Sequence, residues 1–390
     1  MKKIPIPGEF MISRRQFAKT LGGAVTLTAI KPNALWSGEP GAAVTPASVS
    51  PVAAELYRKA FILDGNVLGE IGFPISDHDP AGATKGIVGS GVNVVKATLG
   101  GPEGDFEEAV DAIARAELLM EKQPESFFKV QRAADFDRAK NEGKLGVIYS
   151  FESPNMLEDK IDRIELFRGL GVRVMQLTYN QRTLFGCGCL GGDEDGLTDL
   201  GRSAVAKMNE IGVALDLSHC NTKTTADGIA ASKKPAVITH AGCRAVYMHP
   251  RNKEDRELKA LAEKGGVIGI YMLPFLTEPP RHPMLKDFLH HLDHAVKVCG
   301  EDHVGIGSDV PFLHVGEEEL AELKRRTEER KEAGIAAPGE ERPAYIPDLN
   351  TERKLELVTD ALLKRGYKSA AVEKILGGNF RRVLTDIWSM

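Results

Sequence analysis

The chain of 390 residues predicts a (β/α)8 TIM barrel. Short apolar runs recur eight times, and amphipathic helical patterns separate them. Most of the runs are nearly continuous in Val, Ile and Leu, as strands buried on both faces of a parallel sheet must be. Polar residues of metal-binding type stand at the ends of several runs, where a barrel of this kind carries its chemistry. A doubly wound open sheet also alternates strand and helix, but eight units suit closure better.

The first run, "FILD" (61–64), ends in Asp-Gly, where a functional loop should begin. The second is "VNVVKATL" (92–99). "FEEAVDAIARAELLMEKQ" then reads as a helix with Phe106, Val110, Ile113 and Leu118 along one face. Strands three and four are "LGVIYSFE" (145–152) and "VRVMQLTY" (172–179). The next helix has Thr198 as N-cap, a stripe of Leu200, Ala204, Met208 and Ile211, and Gly212 as C-cap. "VALDLSH" (213–219) and "AVITH" (236–240) are strands five and six. A helix follows with Asn252 as its cap, Leu258 and Leu261 turned inward, and Gly265 as its stop. Strands seven and eight are "GVIGIYM" (266–272) and "HVGIGSD" (303–309). Loops are inserted after both, over roughly 274–290 and 311–348. "DALLKRGY" and "VEKILGGNFRRVLTDIW" close the chain as helices.

Composition excludes some functions. A net charge of −5 gives no reason to expect a nucleic-acid partner. The five cysteines are odd in number and imply no disulfide framework. Cys187 and Cys189 form half of a zinc-site spacing, with no second pair to complete it. "SRRQFAKT" (13–20), followed by the mildly apolar "LGGAVTLTAI", resembles a twin-arginine export signal. It predicts periplasmic or otherwise extracytoplasmic delivery by the twin-arginine machinery. Residues 1–50 are therefore expected to be signal and linker, and 51–390 a single domain.

At the strand ends stand Glu152, Tyr179 with Asn180, His219, His240 and Asp309. Each alone has an ordinary structural role, such as a cap or a hydrogen-bonding histidine. Together they place two imidazoles, two carboxylates and a phenol on one rim, a donor set suited to Zn²⁺.

Three of the longer stretches are "LGVRVMQLTYN", "GLTDLGRSAVAKMNEIGVALDLSHC" and "KPAVITHAGCRAVYMHPRN". With "HLDHAVKVCGEDHVGIGSD" they resemble the membrane dipeptidase (renal dipeptidase) family of the amidohydrolase superfamily. The likeness runs from about residue 60 to the end. It implies a barrel of the metal-dependent hydrolase type, with two zinc ions bridged by a glutamate, that cleaves dipeptides. By that resemblance Glu152 matches the bridging carboxylate, and His219 and His240 match the imidazoles of the second zinc site. Asp309 matches the catalytic acid/base carboxylate. Arg251, in "HPRN", matches an arginine that holds the substrate carboxylate, with Tyr179 and Asn180 beside the substrate. The family's first strand ends in Asp-Gly-His-x-Asp. This chain has Asp64-Gly65-Asn66-Val67-Leu68, so the first metal site is degenerate. Asn is a poor zinc ligand and Leu is none. "SDHDP" (76–80) offers Asp77, His78 and Asp79 as replacements, although the run reads first as a solvated turn.

Two functions follow as expectations. One is a hydrolase of dipeptides or small peptide-like amides with one Zn²⁺ per chain, with room for a homodimer. The other is an exported metal- or small-molecule-binding protein, or a non-hydrolytic tailoring enzyme, that has lost dipeptidase activity. Asp309, which a mere binder has no need of, favours the enzyme.

Overall fold

The structure is a computed structural model that describes residues 49–68 and 80–389. Its first half runs α1 (Pro51–Lys59), β1 (Leu63–Val67), α2 (Pro80–Gly89), β2 (Val94–Thr98), α3 (Phe106–Lys122), β3 (Phe127–Lys129), α4 (Ala134–Glu142), β4 (Leu145–Phe151), α5 (Arg163–Gly169) and β5 (Val172–Gln176). It continues α6 (Asp199–Ile211), β6 (Ala214–Asp216), α7 (Thr222–Ala231), β7 (Val237–Ala241), α8 (Asp255–Glu263), β8 (Val267–Ile270), α9 (Leu285–Cys299) and β9 (Val304–Ile306). The helices α10 (Glu317–Glu332), α11 (Lys354–Lys364), α12 (Ser369–Glu373) and α13 (Asn379–Trp388) complete it. The signal-like residues 13–20 and the segment holding Asp77, His78 and Asp79 lie outside the described residues.

The sheet order is β1-β2-β4-β5-β6-β7-β8-β9, and each pairing is parallel. These eight strands are the eight apolar runs. The ninth, β3, lies off this path and pairs only with β4. Three residues are too few to show a periodicity, so nothing in the sequence distinguished it. The ring closes between β9 and the residues at the end of β1. Asp309 N–H donates to Asn66 O at 2.8 Å and Leu68 N–H donates to Val310 O at 3.1 Å, while Leu68 pairs with Pro311.

One residue from the N-terminal part of most strands, among them Leu63, Val94, Ala214, Val237 and Val267, packs against Phe380, Val383 and Leu384 of α13. This helix plugs the N-terminal end of the barrel. The pocket and its polar groups are thereby confined to the other end.

Three local expectations need correction. Asp64-Gly65 does not start a loop, because β1 continues to Val67. Gly65 is needed for space: a Cβ there would stand 2.6 Å from the Phe380 ring. The buried face of α3 is Ala109, Ala112, Ile113, Ala116 and Met120, while Val110 and Leu118 are exposed. Small residues let that helix lie close on the sheet, a criterion that hydrophobicity alone does not capture. Asn252 is not the cap of α8, which is Glu254. Its amide donates instead to Tyr247 O and Phe275 O. The expected cap Thr198 does accept from Gly201 N–H, and Gly212 does end α6 in the left-handed conformation at φ 69°.

Candidate metal centre and pocket

The strands deliver Glu152, His219 and His240 to one point. Each offers one donor atom, and the three atoms lie within 4.8 Å of one another, the one such cluster among the described residues. Buried hydrogen bonds set the tautomers of both imidazoles. Asn180 Nδ2 donates to Ile335 O at 2.7 Å, so its Oδ1 is turned to accept from His219 Nδ1–H at 2.7 Å. Thr239 gives its hydroxyl proton to Asp216, so its Oγ1 accepts from His240 Nδ1–H at 2.9 Å. Both Nε2 atoms therefore present lone pairs, and they stand 3.0 Å apart. Two lone pairs this close repel unless a positive group lies against them, and the Arg251 guanidinium faces only that of His219. Burial, and next the Arg251 charge, hold both imidazoles well below their usual pKa, so they are neutral, as metal ligands must be.

This donor set fits one divalent ion. Two neutral imidazoles and a carboxylate leave a further coordination position open, and each imidazole is fixed through its second nitrogen. Arg251 is almost fully buried. It donates to Ser218 O at 2.6 Å, and its Nη2 lies 3.1 Å from His219 Nε2. That contact and an ion on the same nitrogen would exclude each other.

The first metal site of the resemblance does not fit. The Asn66 amide donates to Glu152 Oε1 at 2.8 Å and to Asp309 Oδ1 at 2.7 Å. The opposite amide orientation would set its carbonyl against two carboxylates. Its N–H₂ thus faces the space between the carboxylates with the wrong polarity for a cation. The Leu68 side chain packs against Val315 and Leu323.

Asp309 has φ 55°, the left-handed region. Asp and Asn tolerate it better than most residues. Burial, then the neighbouring Glu152 charge, holds its carboxyl well above the usual range. Its Oδ2 is 3.9 Å from His240 Nε2.

Glu152, Tyr179, Asn180, His219, Arg251 and Asp309 all line one pocket of about 580 Å³. Leu68 lines it too, and so do Leu273, Phe275, and Leu323 and Arg330 of α10. The Tyr179 ring stacks on His219 with centroids 4.2 Å apart, and Arg330 lies over its face at 5.3 Å. Asn180, expected beside the substrate, has both ends of its amide engaged within the protein and serves to orient His219.

Sequence reasoning missed Lys96 of β2. It is 2% exposed, with Nζ 3.9 Å from Glu152 Oε1. The signal was a lone charge inside an apolar strand, since Lys is almost never fully buried without a partner. Asp216 was also missed. It accepts from the backbone N–H and hydroxyl of both Ser218 and Thr239, and so fixes the two histidine-bearing strand ends.

A family model described as "Membrane dipeptidase (Peptidase family M19)" matches residues 81–329. The match begins after β1, so positions 66 and 68 fall outside it. The chain is 28% identical over 297 residues to the dipeptidase tcpJ of Claviceps purpurea, covering 73% of this chain and 63% of that protein. It thus spans less than two-thirds of that relative's length. An amidohydrolase structure from Pseudomonas aeruginosa superposes with a TM-score of 0.72 at 29% identity, covering 87% of this chain and 99% of that one. A metallopeptidase from Rhodobacter sphaeroides shares the fold, with a TM-score of 0.67 at 23% identity over 84% of this chain and 99% of its own.

Proposed function

Because the chain belongs to the membrane dipeptidase family, peptidase family M19, we propose that it is an exported, metal-dependent hydrolase of dipeptides or small peptide-like amides using one Zn²⁺ per chain. The single observation that carries this reading is the convergence of two neutral imidazole Nε2 atoms and the Glu152 carboxylate within 4.8 Å, beside Asp309. Its likeness to a named dipeptidase supports the same substrate class.

Glu152, His219 and His240 would hold the ion. When bound, it supplies Lewis-acid polarisation of the scissile carbonyl and acidifies a water. Asp309 takes the proton of the attacking water and passes it to the leaving amine. Arg251, released from His219, offers a planar fork to the substrate carboxylate. Tyr179 packs over His219 and walls the site from bulk water. Asn180 and Thr239 keep both imidazoles in the ligating tautomer.

The Arg251 hydrogen bond to His219 Nε2 favours a second reading, in which the chain binds a small molecule without hydrolysis. One experiment separates the two. Purified protein loaded with zinc is assayed against a dipeptide panel, with Asp309→Asn as control. Turnover that the control loses supports the hydrolase. Saturable binding without turnover, equal in both proteins, supports the binder.

A further inference from the structure

The first-strand departure is more than a loss. Asn66 and Lys96 converge on the same carboxylate oxygen, Glu152 Oε1. Asn66 gives one N–H to Glu152 Oε1 and the other to Asp309 Oδ1, at 2.8 and 2.7 Å. An ion shared by two carboxylates does the same geometric work: it ties them at short separation. The amide does so without charge, so the two carboxyl groups stand close together with no positive charge at the cross-link itself. Lys96 answers that need. It rises from β2, next to β1, and its Nζ stands 3.9 Å from the same Glu152 Oε1 that Asn66 binds. Its hydrogen bonds go to Ser150 Oγ at 3.1 Å and Thr98 Oγ1 at 3.4 Å, both neutral. No carboxylate other than Glu152 forms an ion pair with Lys96 among the described residues. A buried ammonium is costly unless a partner offsets its lost hydration.

We propose that Asn66 and Lys96 are positioning residues that replace the family's first metal, the amide as the cross-link between Glu152 and Asp309 and the ammonium as the positive charge. The site is then built for one ion. Lys96 repels a second ion, and Asn66 turns its N–H₂, not its carbonyl, toward the two carboxylates. The inference deepens the hydrolase reading and rests on it for the role of Glu152. Its test counts metal ions, so failure of hydrolysis leaves it intact.

The test is zinc stoichiometry by elemental analysis, with zinc affinity by chelator competition, on the unmodified protein and four variants checked by thermal melting. The unmodified protein and Lys96→Arg should each hold about one equivalent, since both keep the charge. Lys96→Met should keep one equivalent but bind it at least about tenfold more tightly, because a neighbouring like charge is gone. A merely structural lysine predicts the opposite sign, weaker binding. Asn66→His alone should stay near one, with the ammonium still in place. Asn66→His combined with Lys96→Met should approach two, held by Glu152, Asp309 and the introduced imidazole. Two firmly bound ions in the unmodified protein or in Asn66→His would overturn the proposal. So would one ion in the double variant or weaker binding in Lys96→Met. The measurements on the unmodified protein and on Asn66→His leave Lys96 untouched, so they stand if its removal prevents folding.

Discussion

Asp309 concentrates three constraints in one residue: a left-handed backbone, a raised carboxyl pKa and a hydrogen bond from Asn66. Asn at this position keeps two of them, since it tolerates the left-handed region and its carbonyl can still accept from Asn66. Only proton transfer is lost. Asp309→Asn should therefore cut turnover by about a hundredfold or more, with zinc content unchanged by elemental analysis. A variant that loses its metal would instead make Asp309 a ligand. His291 of α9, which is not one of the metal-site residues, offers a second titration. It accepts from Cys243 N–H at 2.9 Å and its Nε2–H donates to Leu276 O at 3.0 Å. Burial pushes its pKa down to about 4. The unfolded chain takes up this proton near pH 6.5 and the folded chain does not. The stability His291 contributes is thus present above about pH 6.5 and lost as pH falls toward 4. His291→Gln should make the fall of unfolding free energy with acidification shallower by up to about 1.4 kcal/mol per pH unit in that window. Urea melts between pH 4.5 and 6.5 read the difference directly, and parallel curves would refute it.

At the scale of elements, the strands were legible because both their faces are buried, which leaves nearly unbroken apolar runs such as "VALDL". Caps were legible where a side chain and a glycine frame the helix, as at Thr198 and Gly212. Legibility failed where tertiary space decides. The buried face of α3 is chosen by alanines that permit close approach, and Gly65 lies inside β1, where its missing side chain leaves room for the Phe380 ring. The segment 311–348 looked only like an insertion, yet it forms a wall of the pocket. Its helix α10 brings Leu323 onto Leu68, and its loop is tied down where Asn180 Nδ2 and Gln181 Nε2 donate to Ile335 O and Gly334 O. Leu68, where the resemblance expects a ligating Asp, has become an anchor for that wall. A carboxylate there would be set against the apolar side chains of Val315 and Leu323. Leu68→Asp should accordingly loosen the inserted segment, seen as at least about tenfold faster limited proteolysis within 315–345, a loss of about 1.4 kcal/mol or more of local stability. Unchanged cleavage would mean that the wall is held by its loop tethers alone.

On the scale of the whole molecule, the sequence placed Glu152, His219, His240 and Asp309 on one rim because a barrel sends every strand end to the same side. It could not reveal which groups face one another across that rim. The pairing of Asn66 with both carboxylates spans 86 and 243 residues of chain, and Lys96 meets Glu152 from a separate strand. The export proposal stands apart from the fold and rests on Arg14 and Arg15. Changing both to Lys should hold the precursor in the cytoplasm, because the arginine pair is read by a receptor; undiminished periplasmic delivery would remove the proposal. The one-metal architecture makes the last prediction. Each imidazole is neutral, fixed by a partner on its second nitrogen and aimed at the other, so the two act as one clamp. Removing either leaves one imidazole and a carboxylate, too few donors to outcompete water and buffer. His219→Ala and His240→Ala should each lower zinc content from about one equivalent to near zero after mild chelation. Asn180→Leu keeps every donor but frees the His219 tautomer, and should weaken zinc binding by about 10- to 100-fold. Retention of a full equivalent in either histidine variant would place the ion elsewhere, with Asp77, His78 and Asp79 the next ligands to mutate.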